Sequence, residues 1–579
     1  MNFKYGLFNS YFKHYKHKEN MVTFSKNLSL SLCKGEKFAF QILISCDEDF
    51  CCKLGNSMDI SYKGLINSLR FSVKDNSYLK NIKLSFLGYV EDDNKNLLSD
   101  PILNNKTLLI NKNEYQSIWV EGFVPNDSNI SNTTLEIDIY ESKDYLKEKI
   151  LSSIKVNIEI LNISIPKISE SDFFLDLWQH PSNWARMYDV EYFSDDHWFI
   201  IENNLKELAS SGAKVITLIV SDYSWAGQGC YKEFKNPSNL FELNIVNVYK
   251  GNDNHIYCDF TNLDKYLKLC FKYGIDAEID IFGIIGNWDN FSFGNPLKDY
   301  KDPIRISYYD ENEKAYSYID CKDDLKEYLT QLFNHLYKLN IFDKVRIISD
   351  EPNNSDLFKE WVNFIDKCAL NKNIKFKCAI HNQEFYEKFN ENIQDISLNT
   401  YEIINNITSI KDLGDKLSSK NGKATWYSCC FPKKLNTFLE SPLLESRLIP
   451  WFTYYINLHG FLRWAYAIWP SNPFKEVSYK YPNWTAGDMF FVYPGKNMKP
   501  ISSVRWENLK FGIQDYMILK IMEQKGLNSD YIRNQLGSLL GNKEDMKCLE
   551  NRQIDFNYSL DGENYINLRN NLIKSLNKL

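Results

Sequence analysis

From about residue 170 the chain repeats one grammar eight times: a short apolar run, a polar or aromatic loop, and a stretch with helical character between several of the runs. The runs occupy 173–178, 214–220, 276–282, 344–349, 374–380, 395–400, 423–428 and 460–466. Between the second and third, residues 263–273 place Leu263, Tyr266, Leu267 and Cys270 on one face at helical spacing. Strands buried on both faces read as continuous apolar runs, and eight of them alternating with helices are the signature of a (β/α)8 TIM-type barrel. The competing arrangement is a doubly wound open sheet. It usually carries a glycine-rich phosphate-binding turn after its first strand, and none follows residue 178.

The flanks follow other rules. Residues 1–165 hold short alternating runs, among them 37–44, 82–87, 117–124 and 154–160, separated by Asn-, Asp- and Ser-rich turns. That pattern predicts an N-terminal β-sandwich, with 162–167 as its exit linker. Beyond residue 500, Trp506, Leu509, Ile513, Tyr516, Met517 and Lys520 recur at three to four residues, predicting a helix whose apolar members face the barrel. The expected organisation is a β-sandwich over 1–165, a catalytic (β/α)8 barrel over 170–500, and a C-terminal helical extension over 501–579.

Composition narrows the partners. The 579 residues are 44% hydrophobic and 25% charged, with a net charge of -7, so there is no basic footprint for nucleic acid. No apolar run approaches the roughly 18 residues of a membrane span, and Met1–Leu7 lacks the apolar core of an export signal. A cytoplasmic protein without membrane insertion is therefore expected. The 13 cysteines include the adjacent pairs Cys51-Cys52 and Cys429-Cys430, form no CxxC, and read as free thiols. With no HxH or HExxH, neither a metal site nor a cofactor is expected.

In a barrel, chemistry collects where the strands end. The fourth run delivers Asp350 and Glu351 before Pro352, an adjacent carboxylate pair suited to acid/base work. The other ends supply Trp178 and His180 (first), Trp225 (second), Glu278 and Asp280 (third) and His381 (fifth). Tyr401 and Glu402 follow the sixth, Trp426 and Tyr427 the seventh, and Arg463 and Trp464 the eighth. Aromatic platforms, hydroxyl binders and a carboxylate pair together point to a carbohydrate site. Each residue also has a plainer reading. The tryptophans pack in cores, Glu278 and Asp280 face inward as buried polar groups, Arg463 neutralises barrel acids, and the histidines cap loops.

A longer pattern lies in the final third: Gly460-Phe461-Leu462-Arg463-Trp464-Ala465-Tyr466, Trp484-Thr485-Ala486-Gly487-Asp488, Val492-Tyr493-Pro494-Gly495 and Ser502-Ser503-Val504-Arg505-Trp506, continuing to Gly512-Ile513-Gln514-Asp515-Tyr516. It resembles the carboxyl-terminal signature of glycoside hydrolase family 123 and its relatives, and with the acidic pair the resemblance covers essentially the whole chain. The resemblance implies an exo-acting, retaining β-N-acetylgalactosaminidase that uses substrate-assisted catalysis. Glu351 would be the general acid/base. Asp350 would hold the 2-acetamido N–H while the substrate's own carbonyl oxygen attacks the anomeric carbon, giving an oxazolinium intermediate. Tyr401 is the candidate phenol for that carbonyl. Trp178, His180, Trp225, Asp280, His381, Trp426, Tyr427, Arg463 and Trp464 are the candidate sugar contacts. The adjacency suits this division, because conventional retaining pairs sit about 5 Å apart on opposite sides of the scissile bond. Two alternatives stand beside it. One is a glycosidase of other specificity, β-hexosaminidase- or β-galactosidase-like, with a more distant base such as Glu278, Asp280 or Glu402. The other is a non-catalytic carbohydrate-binding protein.

Overall fold

A computed structural model describes residues 2–16, 24–56, 67–143, 146–224, 241–285, 304–370, 372–475, 477, 484–543 and 546–576. The N-terminal strands form two sheets. Five strands pair in the order Phe3–Asn9, Lys37–Cys46, Gln116–Phe123, Lys80–Glu91, Leu97–Ile102. Six pair in the order Ser29–Lys34, Lys149–Ser164, Asn132–Ser142, Asn67–Val73, Phe50–Leu54, Thr107–Ile110. In Lys149–Ser164, Ile154, Val156, Ile158 and Ile160 are buried while Lys155, Asn157 and Glu159 are exposed, the period-two pattern of a sheet with one wet face. The strand continues through Ser164, beside Lys34 of its parallel neighbour, so it takes in the first three residues expected as linker.

Lys37–Cys46 behaves differently, being buried on both faces after its first residue. One face enters the sandwich core with Phe40, Ile42 and Ile44. The other places Ala39, with Trp119 of the adjacent strand, against Leu443, Val504 and Phe511. The sandwich is thereby fixed to the rest of the molecule by an apolar seam. Buried ion pairs reinforce it: Arg505 holds Asp100 at 3.0 Å, and Arg569 holds Glu36 at 2.9 Å and Asp515 at 3.0 Å.

All eight apolar runs are strands, and they form one parallel sheet. They are β1 (Phe174–Leu177), β2 (Val215–Ile219), β3 (Glu278–Phe282), β4 (Val345–Asp350), β5 (Phe376–Ile380), β6 (Ile393–Asn399), β7 (Ala424–Tyr427) and β8 (Gly460–Arg463). Their spatial order is β1-β8-β7-β6-β5-β4-β3-β2, and a bridge between Leu175 and Ala213 brings β1 and β2 together. Gly460 fits here because an added Cβ would lie 1.8 Å from the carbonyl oxygen of Phe174. The helix Val504–Gln524 carries the predicted apolar face, and Arg505, Glu507, Asn508 and Asp515 are buried too. It packs between the sandwich and Leu443–Tyr455, so its polar side is enclosed as well. Among the described residues no helix is long and apolar enough to cross a membrane.

Candidate active site

The lower interior of the barrel is charged rather than apolar. Lys377 of β5 is fully buried, with its Nζ 2.5 Å from Asp176, 2.6 Å from Glu278 and 2.9 Å from Asp280. Arg346 of β4 pairs with Asp395 of β6 and lies 3.9 Å from Glu278. Burial drives the Asp280 carboxyl well above the usual carboxylate range despite Lys377, and pushes Asp395 up to about 6. Asp280, expected as a sugar contact, is therefore an enclosed partner of Lys377 with no exposed surface. Glu278 shares that fate.

Four residues further along β5 is about 13 Å of strand, which leads to the mouth. Here Asp350 closes β4, buried and on the same pleat face as Arg346 and Ile348. A regular strand would send Glu351 to the opposite face. Instead its φ is +52°, in the left-handed region that non-glycine residues seldom adopt, while its N–H still donates to Ala379 O at 2.9 Å. That turn ends the alternation and brings both carboxylates to one mouth. The Tyr427 hydroxyl donates to Glu351 Oε1 at 2.7 Å, and His381 Nε2 lies 2.7 Å from Glu351 Oε2. Tyr427 and His381 are themselves 3.5 Å apart. The Tyr427 phenol is pushed well above its ordinary pKa, chiefly by burial and then by the charges of Glu351 and Asp350, so it remains a donor. Left-handed backbone at a residue whose carboxylate is held on both oxygens is the kind of local strain that concentrates at functional sites.

Two residues past Tyr427, the Cys429 thiol lies 3.7 Å from that of Cys430. Its pKa is pushed well above the usual range by the hydrogen bond with the Cys430 thiol, by burial, and by the charges of Cys430, Asp488 and Glu351. Asp488 is the buried partner of Arg463, whose Nη2 donates to it at 2.6 Å, while the Trp464 indole N–H points to it at 3.4 Å. Gly487, at φ +91°, allows the chain to pass there, since a Cβ would meet Leu439 N at 2.8 Å.

The site thus gathers Asp350, Glu351, His381 and Tyr427, with Cys429 and the Arg463–Asp488–Trp464 group close by. Cys429 and Asp488 were absent from the expected set. Their signals were the Cys429-Cys430 pair just past Tyr427 and the carboxylate ending the 484–488 motif.

Other candidates sit elsewhere. Trp426, adjacent to Tyr427, points out of the barrel, its indole N–H donating to Thr453 Oγ1 at 2.7 Å and its ring packed on Phe452 and Phe461. Trp178 is buried against Phe282 with ring centres 4.8 Å apart. His180 is buried at the start of the helix Pro181–Tyr188, and burial lowers its pKa to about 3, which keeps it neutral. Arg463 is fully enclosed, donating also to Ser428 O and Asn436 Oδ1. None of these five, Asp280 included, presents an open surface to a sugar. Tyr401 is the second residue of the helix Thr400–Asn405, half-buried, with its N–H on Asn399 Oδ1 and its carbonyl accepting from Cys548. Glu402 is occupied as a loop brace, accepting from Gln383 N at 3.0 Å and Asn406 Nδ2 at 2.9 Å. Trp225 lies outside the described residues.

An eight-stranded parallel barrel with a carboxylate pair at the end of its fourth strand, braced by a phenol and an imidazole, suits a glycosidase-type barrel enzyme. Residues 178–522 match the profile of the glycoside hydrolase 123 catalytic domain. The chain belongs to glycoside hydrolase family 123. Among solved structures, a family 123 glycoside hydrolase from Clostridium perfringens, described for its glycolipid glycan hydrolysis, aligns over 100% of this chain and 98% of its own with a TM-score of 0.77. At 21% identity that likeness speaks to the fold. D-psicose 3-epimerase from Clostridium cellulolyticum H10 aligns over 54% of this chain and 92% of its own, with 11% identity and a TM-score of 0.26. The maltogenic α-amylase AmyB from Thermotoga neapolitana aligns over 60% and 77%, with 12% identity and a TM-score of 0.29. Both lie too far away to carry an argument. A search of curated proteins returned no match.

Proposed function

We propose that this glycoside hydrolase is an exo-acting, retaining β-N-acetylgalactosaminidase that releases terminal β-linked N-acetylgalactosamine from oligosaccharides, including glycolipid-type glycans, by substrate-assisted catalysis. The observation that carries the reading is the pairing of Asp350 with a Glu351 turned to the same mouth and held on both oxygens. The three carboxylates considered above as a more distant base are otherwise engaged: Glu278 and Asp280 by Lys377, Glu402 by Gln383 and Asn406. This weighs against a conventional pair and favours a nucleophile supplied by the substrate. The glycolipid glycan hydrolysis described for the Clostridium perfringens family member supports the substrate class.

In the first step, protonated Glu351 gives its proton to the glycosidic oxygen as the bond to the anomeric carbon breaks. The acetamido carbonyl oxygen forms the new bond to that carbon, and Asp350 accepts the amide N–H and stabilises the positive charge that develops. In the second, Glu351 takes a proton from water, whose oxygen bonds the anomeric carbon from the face the aglycone left; the bond from that carbon to the acetamido oxygen breaks, the amide is regenerated and the β configuration is restored. A carboxyl accepts at up to about four lone-pair sites, so the bonds to Tyr427 and His381 leave room for the catalytic proton. Tyr401 remains our assignment for the phenol on the carbonyl, and His381, Tyr427 and Trp464 are the expected sugar contacts at this mouth. The test is turnover of aryl β-N-acetylgalactosaminide, β-N-acetylglucosaminide and β-galactoside. Cleavage of the first, with inhibition by a thiazoline analogue and loss in Glu351→Gln, is expected. Equal cleavage of the plain galactoside would reject the reading.

A further inference from the structure

Two excursions from the mouth of the barrel, after β2 and after β3, build a separate four-stranded sheet in the order Ile256–Asp259, Asn247–Lys250, Ser307–Asp310, Ala315–Tyr318. Its register sets four tyrosines in one row: Tyr257 opposite Tyr249, Tyr249 opposite Tyr309, and Tyr309 opposite Tyr316. Residues paired across neighbouring strands share a face, so the four rings stand together, while Val248, Ile256 and Tyr308 are buried on the other side. The row is open to water, with exposures of 38%, 37%, 38% and 79% from Tyr257 to Tyr316. The Tyr249 and Tyr257 rings lie 5.5 Å apart and 15° from parallel, and those of Tyr309 and Tyr316 are 5.4 Å apart. At the usual strand spacing the row is about 14 Å long.

Beside it, two residues along each strand, runs a second row in which Asn247 Nδ2 donates to Asp259 Oδ2 at 3.3 Å, Ser307 follows on the third strand and Tyr318 on the fourth. Single exposed aromatics are ordinary, but a contiguous exposed row marks a contact surface. No aliphatic side chain enters either row. Rings with hydroxyls beside short polar side chains suit sugars, whose C–H faces pack on aromatic planes while their hydroxyls seek hydrogen bonds. The sheet is also fastened at the end of β2. Buried Asp222 accepts from Ser307 N at 2.9 Å and Asn244 N at 3.2 Å, and its own N–H donates to Arg305 O at 2.7 Å. That is the end of the barrel at which Glu351 sits.

We propose that the tyrosine row is a second saccharide-binding surface, which takes the neutral part of a glycan chain beyond the sugar being cleaved. The identity of the terminal sugar rests on the function proposed above; the row itself does not. The test compares the full chain with Tyr249→Thr/Tyr309→Thr/Tyr316→Thr, threonine being chosen because it keeps strand propensity. The probes are a β-N-acetylgalactosamine-terminated tetrasaccharide and 4-nitrophenyl β-N-acetylgalactosaminide. The expected result is a roughly tenfold fall in kcat/KM for the tetrasaccharide, carried by KM, with the aryl glycoside unaffected. In the Glu351→Gln background with thiazoline present, saturation-transfer NMR should show contact to the inner sugars that the triple substitution abolishes. Unchanged tetrasaccharide turnover and unchanged transfer would overturn the proposal, as would a triple variant altered only in sedimentation, which makes the row a contact between copies. If the aryl glycoside is not cleaved at all, the proposed function fails while the NMR comparison still decides the row. Should the triple variant not fold, Tyr316→Thr alone, at the most exposed ring, is read the same way.

Discussion

Replacing Tyr427 with phenylalanine removes one donor from the Glu351 carboxylate and nothing else from the charge balance, because the phenol is neutral at working pH. A hydrogen bond to a charged group nets about 1.5–3 kcal/mol, and with Glu351 19% exposed the lower end applies. One pKa unit corresponds to about 1.4 kcal/mol, so the Glu351 carboxyl should rise by about one unit. The sign follows from the state stabilised: Tyr427 favours the carboxylate, so its loss favours the acid. In the free enzyme, the loss of the protonated acid sets the alkaline limb of kcat/KM against pH. That limb should move upward by about one unit in Tyr427→Phe, measured with an aryl glycoside that has a poor leaving group. An unmoved limb would refute the reasoning, whatever happens to KM, and leave Tyr427 acting on the sugar alone.

Three further outcomes test the frame around the site. Lys377→Met leaves Asp176 and Asp280 without their counter-charge and Glu278 with Arg346 alone, and should cost about 3–5 kcal/mol in urea unfolding; an unshifted midpoint would show that the carboxyls neutralise themselves. Asp395, with its pKa pushed up to about 6 by burial and by the charge of Glu278, contributes stability that is full below the ordinary carboxylate range near about 4. That contribution is lost as pH rises through about 6, so Asp395→Asn should flatten this part of the stability profile between those values. Trp426→Ala removes a core ring and should cost about 3–5 kcal/mol while leaving KM unchanged; a raised KM at intact stability would restore Trp426 as a sugar platform.

The barrel was readable because its strands are buried on both faces and so appear as unbroken apolar runs, each recovered to within about three residues. Asp350, Glu351, His381 and Tyr427 were readable because position at a strand end is a sequence property. Direction was harder to read. Trp426 and Tyr427 are neighbours, and period two sends one to the helix layer and the other to the mouth, but which goes where depends on register with β6 and β8. Asp350 and Glu351 break that same rule, through a left-handed turn that no residue type announces. Asp280 and Arg463 looked like ligand-binding charges because their partners, Lys377 and Asp488, lie 97 and 25 residues away. The tyrosine row had no signal at all until the register of four strands aligned it.

In the proposed mechanism the substrate's acetamido oxygen, not a protein carboxylate, attacks the anomeric carbon. The most direct measurement is the rate on a series of aryl β-N-acetylgalactosaminides whose acetyl group carries none, one, two or three fluorines. Each fluorine drains electron density from the carbonyl oxygen without altering the protein. If that oxygen is the nucleophile, kcat/KM must fall steeply with each fluorine, and Asp350→Asn must slow the whole series. A rate indifferent to fluorination, with azide trapping an inverted glycosyl azide only in the Asp350 variant, would make Asp350 a covalent nucleophile and rule out the substrate-assisted mechanism.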